Sequence, residues 1–88
     1  MVLDMRELKP LGNKAEEIFY EGTKLISKHG LKRGAVIMEN PEVIRQMRQI
    51  AKYANVHRQE RYIDAVTTRN WEKLSHDWVI EGIDPDRL

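Results

Sequence analysis

Three short apolar runs punctuate the chain: Val2-Leu3-Asp4-Met5, Gly34-Ala35-Val36-Ile37-Met38 and Arg61-Tyr62-Ile63-Asp64-Ala65. Each is followed by a stretch in which apolar residues recur at helical spacing. Strand-like runs alternating with amphipathic helices predict a parallel sheet joined by right-handed crossovers. The expected fold class is α/β, a small parallel three-stranded sheet in β-α-β-α-β-α order with helices packed on it.

The punctuation between runs sets the element ends. Lys9-Pro10-Leu11-Gly12 reads as a loop, since proline and glycine break both regular patterns. Asn13 then reads as an N-cap, with Glu16 completing a capping box, and the first helix runs from Lys14 to His29 before Gly30. Its expected core face is Ala15, Ile18, Phe19, Gly22, Leu25 and Ile26. The second run is continuously apolar, as in a parallel strand covered on both faces. Asn40-Pro41 opens a second helix, with proline where its missing N–H costs nothing. Val43, Ile44, Met47, Ile50, Ala51 and Ala54 face inward, and Asn55 ends the helix in a left-handed turn. The third run is more polar, which suggests an edge strand. Thr67 and Thr68 offer caps for a last helix carrying Trp71, Leu74, Trp78 and Val79 on one side and stopping at Gly82. Residues 1–83 are thus expected to form one domain and 84–88 a frayed C-terminal tail.

Eighty-eight residues suit a single small core. The absence of cysteine removes disulfides, a thiolate nucleophile and thiolate metal sites. No run approaches the roughly 18 apolar residues of a membrane span, and the N-terminus lacks the charged and apolar regions of a signal peptide. A cytoplasmic location is the expectation.

The sequence offers no catalytic, cofactor-binding or metal-ligating constellation. His29, His57 and His76 lie far apart, and His29 at a helix C-terminus simply compensates the helix dipole. Leu8-Lys9-Pro10-Leu11-Gly12-Asn13 carries one glycine and is no phosphate-binding loop. Ser27 and Ser75 fall within helices, away from any strained turn that would expose a nucleophile. Ligands of open parallel sheets collect at the carboxyl ends of the strands. Asp4, Glu39, Asn40 and Asp64 lie there, and Asn13 and Lys14 open the helix beside them. These six make a candidate ligand or partner rim. Their plainer reading is capping and loop hydrogen bonding.

Charge is unevenly spread, although the formal net charge is only +1. From Pro41 to Arg61 five basic residues oppose two acidic ones, leaving +3. From Tyr62 onward three basic residues oppose six acidic ones, leaving −3. Arg45, Arg48 and Lys52 share one face of the second helix and form a candidate basic interaction face, which otherwise reads as a solvated surface. The near-neutral whole and the sparse aromatics nearby argue against nucleic acid. Trp71 and Trp78, two turns apart, read as core, with one indole available to anchor an interface.

Together, Val2 to Leu8, the helix after it, Gly34 to Met38, the helix opened by Asn40-Pro41 and the segment Glu60 to Ala65 resemble the STAS-like domains, the superfamily of the anti-sigma-factor antagonists. The resemblance covers nearly all of the chain. That family has about two further strands ahead of the point where this chain begins, so the resemblance implies a shortened domain. The antagonists open the following helix with an aspartate-serine-serine-glycine phosphoswitch. Gly12-Asn13-Lys14-Ala15 stands here instead, with no hydroxyl to phosphorylate, so the switch does not carry over. The resemblance implies a non-enzymatic interaction or regulatory module that binds a protein partner. The alternative is a small-molecule, nucleotide or lipid-binding domain. A first strand with one unpartnered side also leads us to expect a homodimer. No cofactor is expected.

Overall fold

The computed structural model describes residues 1–30 and 32–87, and Leu88, the last residue of the expected tail, lies outside them. The three strands are β1 (Val2–Asp4), β2 (Gly34–Met38) and β3 (Glu60–Asp64). They form one parallel sheet in the order β1-β2-β3. The helices are α1 (Asn13–Lys28), α2 (Pro41–Tyr53) and α3 (Trp71–His76), the last continued by a π-helical segment, Asp77–Glu81. The architecture is the expected α/β sheet with three helices. None of the helices described is long and apolar enough to cross a membrane.

Strand order dictates where the helices lie. Each crossover moves the same way across the sheet, so crossovers of one hand put α1 and α2 on the same face. The register aligns Leu3, Val36 and Tyr62 in one row and Asp4, Ile37 and Ile63 in the next. Alternation then sends the first row toward α1 and α2 and the second toward α3. Val36, Met38 and Tyr62 accordingly pack with Val43, Met47, Ile50 and Val56. Ala35, Ile37 and Ile63 pack with Trp78, flanked by Trp71, Leu74 and Val79. Every residue of β2 is buried, which is why its sequence is apolar without alternation.

The second helix follows its sequence cues closely. The Asn40 side chain accepts from the Glu42 N–H at 2.9 Å, Pro41 occupies the first turn, and Asn55 adopts φ 59°. The cap of α1 differs from expectation. Gly12 is the N-cap, its carbonyl accepting from Glu16 N at 2.9 Å, and Asn13 is already helical. The cause is Gln46 on α2, whose side chain clamps Leu11 N and O, each at 2.8 Å, and so fixes the approach to the helix. Glu16 meets Gln46 Nε2 at 3.3 Å. Likewise α3 begins at Trp71, because Asp64 holds Val66 and Thr68 in a turn through its side chain and its carbonyl.

Two faces depart further from the sequence reading. Ile18, Leu25 and Ile26 of α1 were expected in the core but are 63%, 57% and 41% exposed. β1 is a three-residue edge strand, so no sheet extends beneath the outer side of α1. Residues 84–87 of the tail expected to fray fold back instead. Pro85–Arg87 form a 3-10 turn, and the Asp84 carboxylate binds the Arg61 side chain of β3 at 2.8 Å.

Candidate functional site

The carboxyl ends of β1 and β2 meet in a cleft lined by Asp4, Met5, Arg6, Phe19 and Glu39. Asp4 and Glu39 are therefore neighbours, as the rim reading required. Asp4 is already engaged by the Arg6 guanidinium, at 2.9 Å from Nη2 and 3.0 Å from Nε. Those bonds and the Arg6 backbone N–H hold its carboxyl below the usual carboxylate range. Arg6 in turn lies over Trp71, 5.0 Å from the ring centroid. Asn40 is occupied as a cap. Asn13 and Lys14 sit exposed on the first turn of α1 and do not line this cleft. Asp64, the last residue of β3, does not line this cleft. Of the six rim residues, only Asp4 and Glu39 share this cleft.

Asp64 belongs with the basic face. A groove of about 940 Å³ runs along the outer edge of β3, with Arg45, Arg48 and Lys52 on one bank and Asp64, Thr67 and Thr68 at one end. Spacings of three and four residues put the three cations on a single stripe of α2. Arg45 reaches Glu42 only at 3.7 Å and Arg48 reaches Asp86 only at 4.0 Å, with both arginine side chains more than half exposed. Such pairs contribute little and leave the guanidiniums open to another anion.

The floor of this groove is backbone. Gly34 N donates to Gln59 O at 2.9 Å and Ala65 N to Met38 O at 2.8 Å, which fixes the phase of the β2–β3 ladder. By alternation, the N–H and C=O of Tyr62 and the N–H of Asp64 point away from β2, into the groove. The Asp64 C=O is taken by Thr68 N at 3.0 Å. The open edge is therefore short and centred on Tyr62.

Two arrangements escaped the sequence reading. The Arg61 guanidinium stacks on Trp78 at 4.3 Å while donating to both Asp84 oxygens and to the carbonyls of His57, Arg58 and Glu60. Arg33 covers another part of the same ring, and the Trp78 indole N–H donates to Gly34 O at 3.1 Å. Arg61 is thus a structural clamp, although it counted toward the basic segment. The second arrangement is a buried pair, in which the Tyr62 hydroxyl donates to Glu60 Oε2. Burial pushes the Glu60 carboxyl up. Burial and the Glu60 charge hold the Tyr62 phenol protonated well above its ordinary range. The available signal was alternation: Glu60 and Tyr62 are two apart in a strand and share the face covered by α1 and α2. Among the described residues no cluster of three or more His, Asp or Glu side chains is arranged to hold a metal ion.

Comparison of the chain with protein-family models, with curated proteins and with solved structures returns no match in any of the three.

Proposed function

We propose that this chain is a non-enzymatic interaction module that receives an extended acidic segment of a protein partner along β3. The observation that carries the reading is the pairing of an open strand edge at Tyr62 with the cationic bank of Arg45, Arg48 and Lys52. Strand addition supplies main-chain hydrogen bonds, and flanking charge supplies selectivity and speeds encounter. The kinship with STAS-like domains is part of the same proposal, supported by the β-α-β-α-β-α order and the partner-binding role that resemblance implies. The carboxylates at the other strand ends fit this reading, since Asp4 is bound to Arg6 and not free to act as a base.

The test is fluorescence anisotropy with a labelled alternating Glu-Val decapeptide, a Lys-Val control and a single-stranded oligonucleotide. We expect the acidic peptide to bind and the Lys-Val peptide not to. Arg45→Glu with Arg48→Glu should weaken binding by roughly tenfold or more without unfolding, since both residues are exposed. Equal binding of both peptides would refute the reading. Binding of the oligonucleotide alone, with a steep salt dependence, would assign the groove to phosphate backbones instead.

A second copy of the chain is the partner we assign to the opposite edge. The backbone groups of Val2 and Asp4 point outward there, beside the exposed Ile18, Leu25 and Ile26. Light scattering coupled to size exclusion should report a dimer at tens of micromolar. A mass of 10.4 kDa would overturn this assignment.

A further inference from the structure

α1 leans on α2 and leaves a cleft of about 270 Å³ against β1. Its walls are almost wholly apolar, chiefly Leu3, Ile18, Phe19 and Met47. Among the described residues, Glu60 is the one ionisable side chain that lines it. Only 8% of Glu60 is exposed, and its single side-chain partner among the described residues is the Tyr62 hydroxyl, on Oε2. No cation pairs with it among those residues. Burial favours the protonated form of such a carboxyl, and a cation or a second donor on its other oxygen would favour the carboxylate instead.

Gly22 is the second, independent observation. It stands in the middle of α1 and lines the same cleft. A Cβ added there would meet nothing within 4 Å, and its backbone is ordinary helix. Neither close packing nor backbone conformation calls for glycine, which costs a helix interior about 1 kcal/mol against alanine. Its bareness leaves that wall of the cleft without a side chain.

We propose that the cleft between α1 and β1 binds a small amphipathic amine, its apolar body between Phe19, Ile18 and Leu3 and its ammonium on the free oxygen of Glu60. Size fits the class. A cavity of about 150 Å³ holds benzene, so this one accommodates a ring with a short amine-bearing chain. The chemistry also selects, because an anion is repelled by Glu60 and a neutral molecule of the same shape leaves the carboxylate without a counter-charge. The site shares Ile18 and Ile26 with the edge assigned above to a second copy, and it does not depend on the peptide-docking reading.

The experiment is titration calorimetry on the whole chain with 2-phenylethylamine, 2-phenylethanol and 3-phenylpropionate, at a protein concentration where light scattering reports one species. The amine should saturate and be preferred over the alcohol by roughly tenfold, the worth of one charge-assisted hydrogen bond. The carboxylic acid should not bind. Glu60→Gln should erase the preference for the amine. Gly22→Leu should fill the cleft and abolish binding of amine and alcohol alike while the thermal midpoint holds or rises, which separates lost binding from lost folding. The proposal is overturned by amine binding that does not saturate below about 10 mM. Unchanged affinity in Glu60→Gln, or in a folded Gly22→Leu variant, overturns it equally.

Discussion

Arg61 puts a cation at the inner end of several unrelated contacts at once. Its guanidinium covers Trp78, binds Asp84 and satisfies three carbonyls, with 15% of the side chain exposed. Removing it leaves Asp84 with the Asp86 N–H and a looser Arg87 contact, and takes the donor from those carbonyls and the cover from one face of the indole. Arg61→Met should cost about 2–4 kcal/mol in urea denaturation followed by tryptophan fluorescence, and Asp84→Asn about 1 kcal/mol. A loss under about 0.5 kcal/mol for Arg61→Met would show that the returning C-terminal segment is not held by this clamp. Two glycines allow a sharper comparison. Gly82 ends the π-helical segment at φ 72°, and a Cβ there would lie 3.2 Å from Arg33 Nη1. Gly22 has neither constraint. Gly82→Ala should therefore destabilise by about 1–2 kcal/mol and Gly22→Ala stabilise by up to about 1 kcal/mol, read from the same denaturation curves.

At the scale of elements, β2 carries the fold, since both layers pack on it. Ile37 is fully buried on the α3 side, so Ile37→Asn removes apolar contact and strands an amide there. The expected cost is about 3–5 kcal/mol, comparable to the whole stability of so small a domain, and the variant should fail to give a cooperative thermal transition. Elements of this kind were legible in the sequence because their signals are local. The run Gly34 to Met38, the Asn40-Pro41 start of α2 and the left-handed Asn55 each declare themselves within a few residues. What was not legible depends on partners distant in sequence. Gln46 moves the start of α1 by gripping Leu11, and Asp84 binds Arg61 across 23 positions. The exposure of Ile18, Leu25 and Ile26 follows from where the sheet ends, which no periodicity within α1 records. For the candidate site the basic stripe was legible, being a matter of helical spacing, whereas the buried Glu60–Tyr62 pair required knowing which face of β3 the helices cover.

For the whole molecule, the buried and paired carboxylates pull stability in opposite directions with pH. Asp84 is held below its ordinary 3.8 chiefly by the Arg61 hydrogen bonds, so its contribution is present above that value and is lost as pH falls through the folded one. Glu60 is raised above its ordinary 4.5 by burial, so the folded state binds the proton more tightly than the unfolded chain. Stability must then decline as pH climbs from about 4.5 through the folded value. Melting temperatures should fall between pH 5 and pH 7 in the parent chain, and Glu60→Gln should flatten that limb and melt higher at pH 7. A parent curve that rises over this interval would contradict the assignment. The all-parallel sheet has a kinetic consequence as well. Without a hairpin, each strand pairing must close a long crossover, from Val2 to Ala35 or from Val36 to Tyr62. Closure entropy rises only slowly with length, so the order of assembly is set by what each closure gains. β2 and β3 pair over five residues, β1 and β2 over three. β1 should dock last and come away first. Gly34 and Ala35 report this as adjacent amides facing opposite neighbours, Gly34 N bonding Gln59 O and Ala35 N bonding Met1 O. After correction for intrinsic rates, the Ala35 amide should exchange with deuterium ahead of Gly34, one peptide unit away.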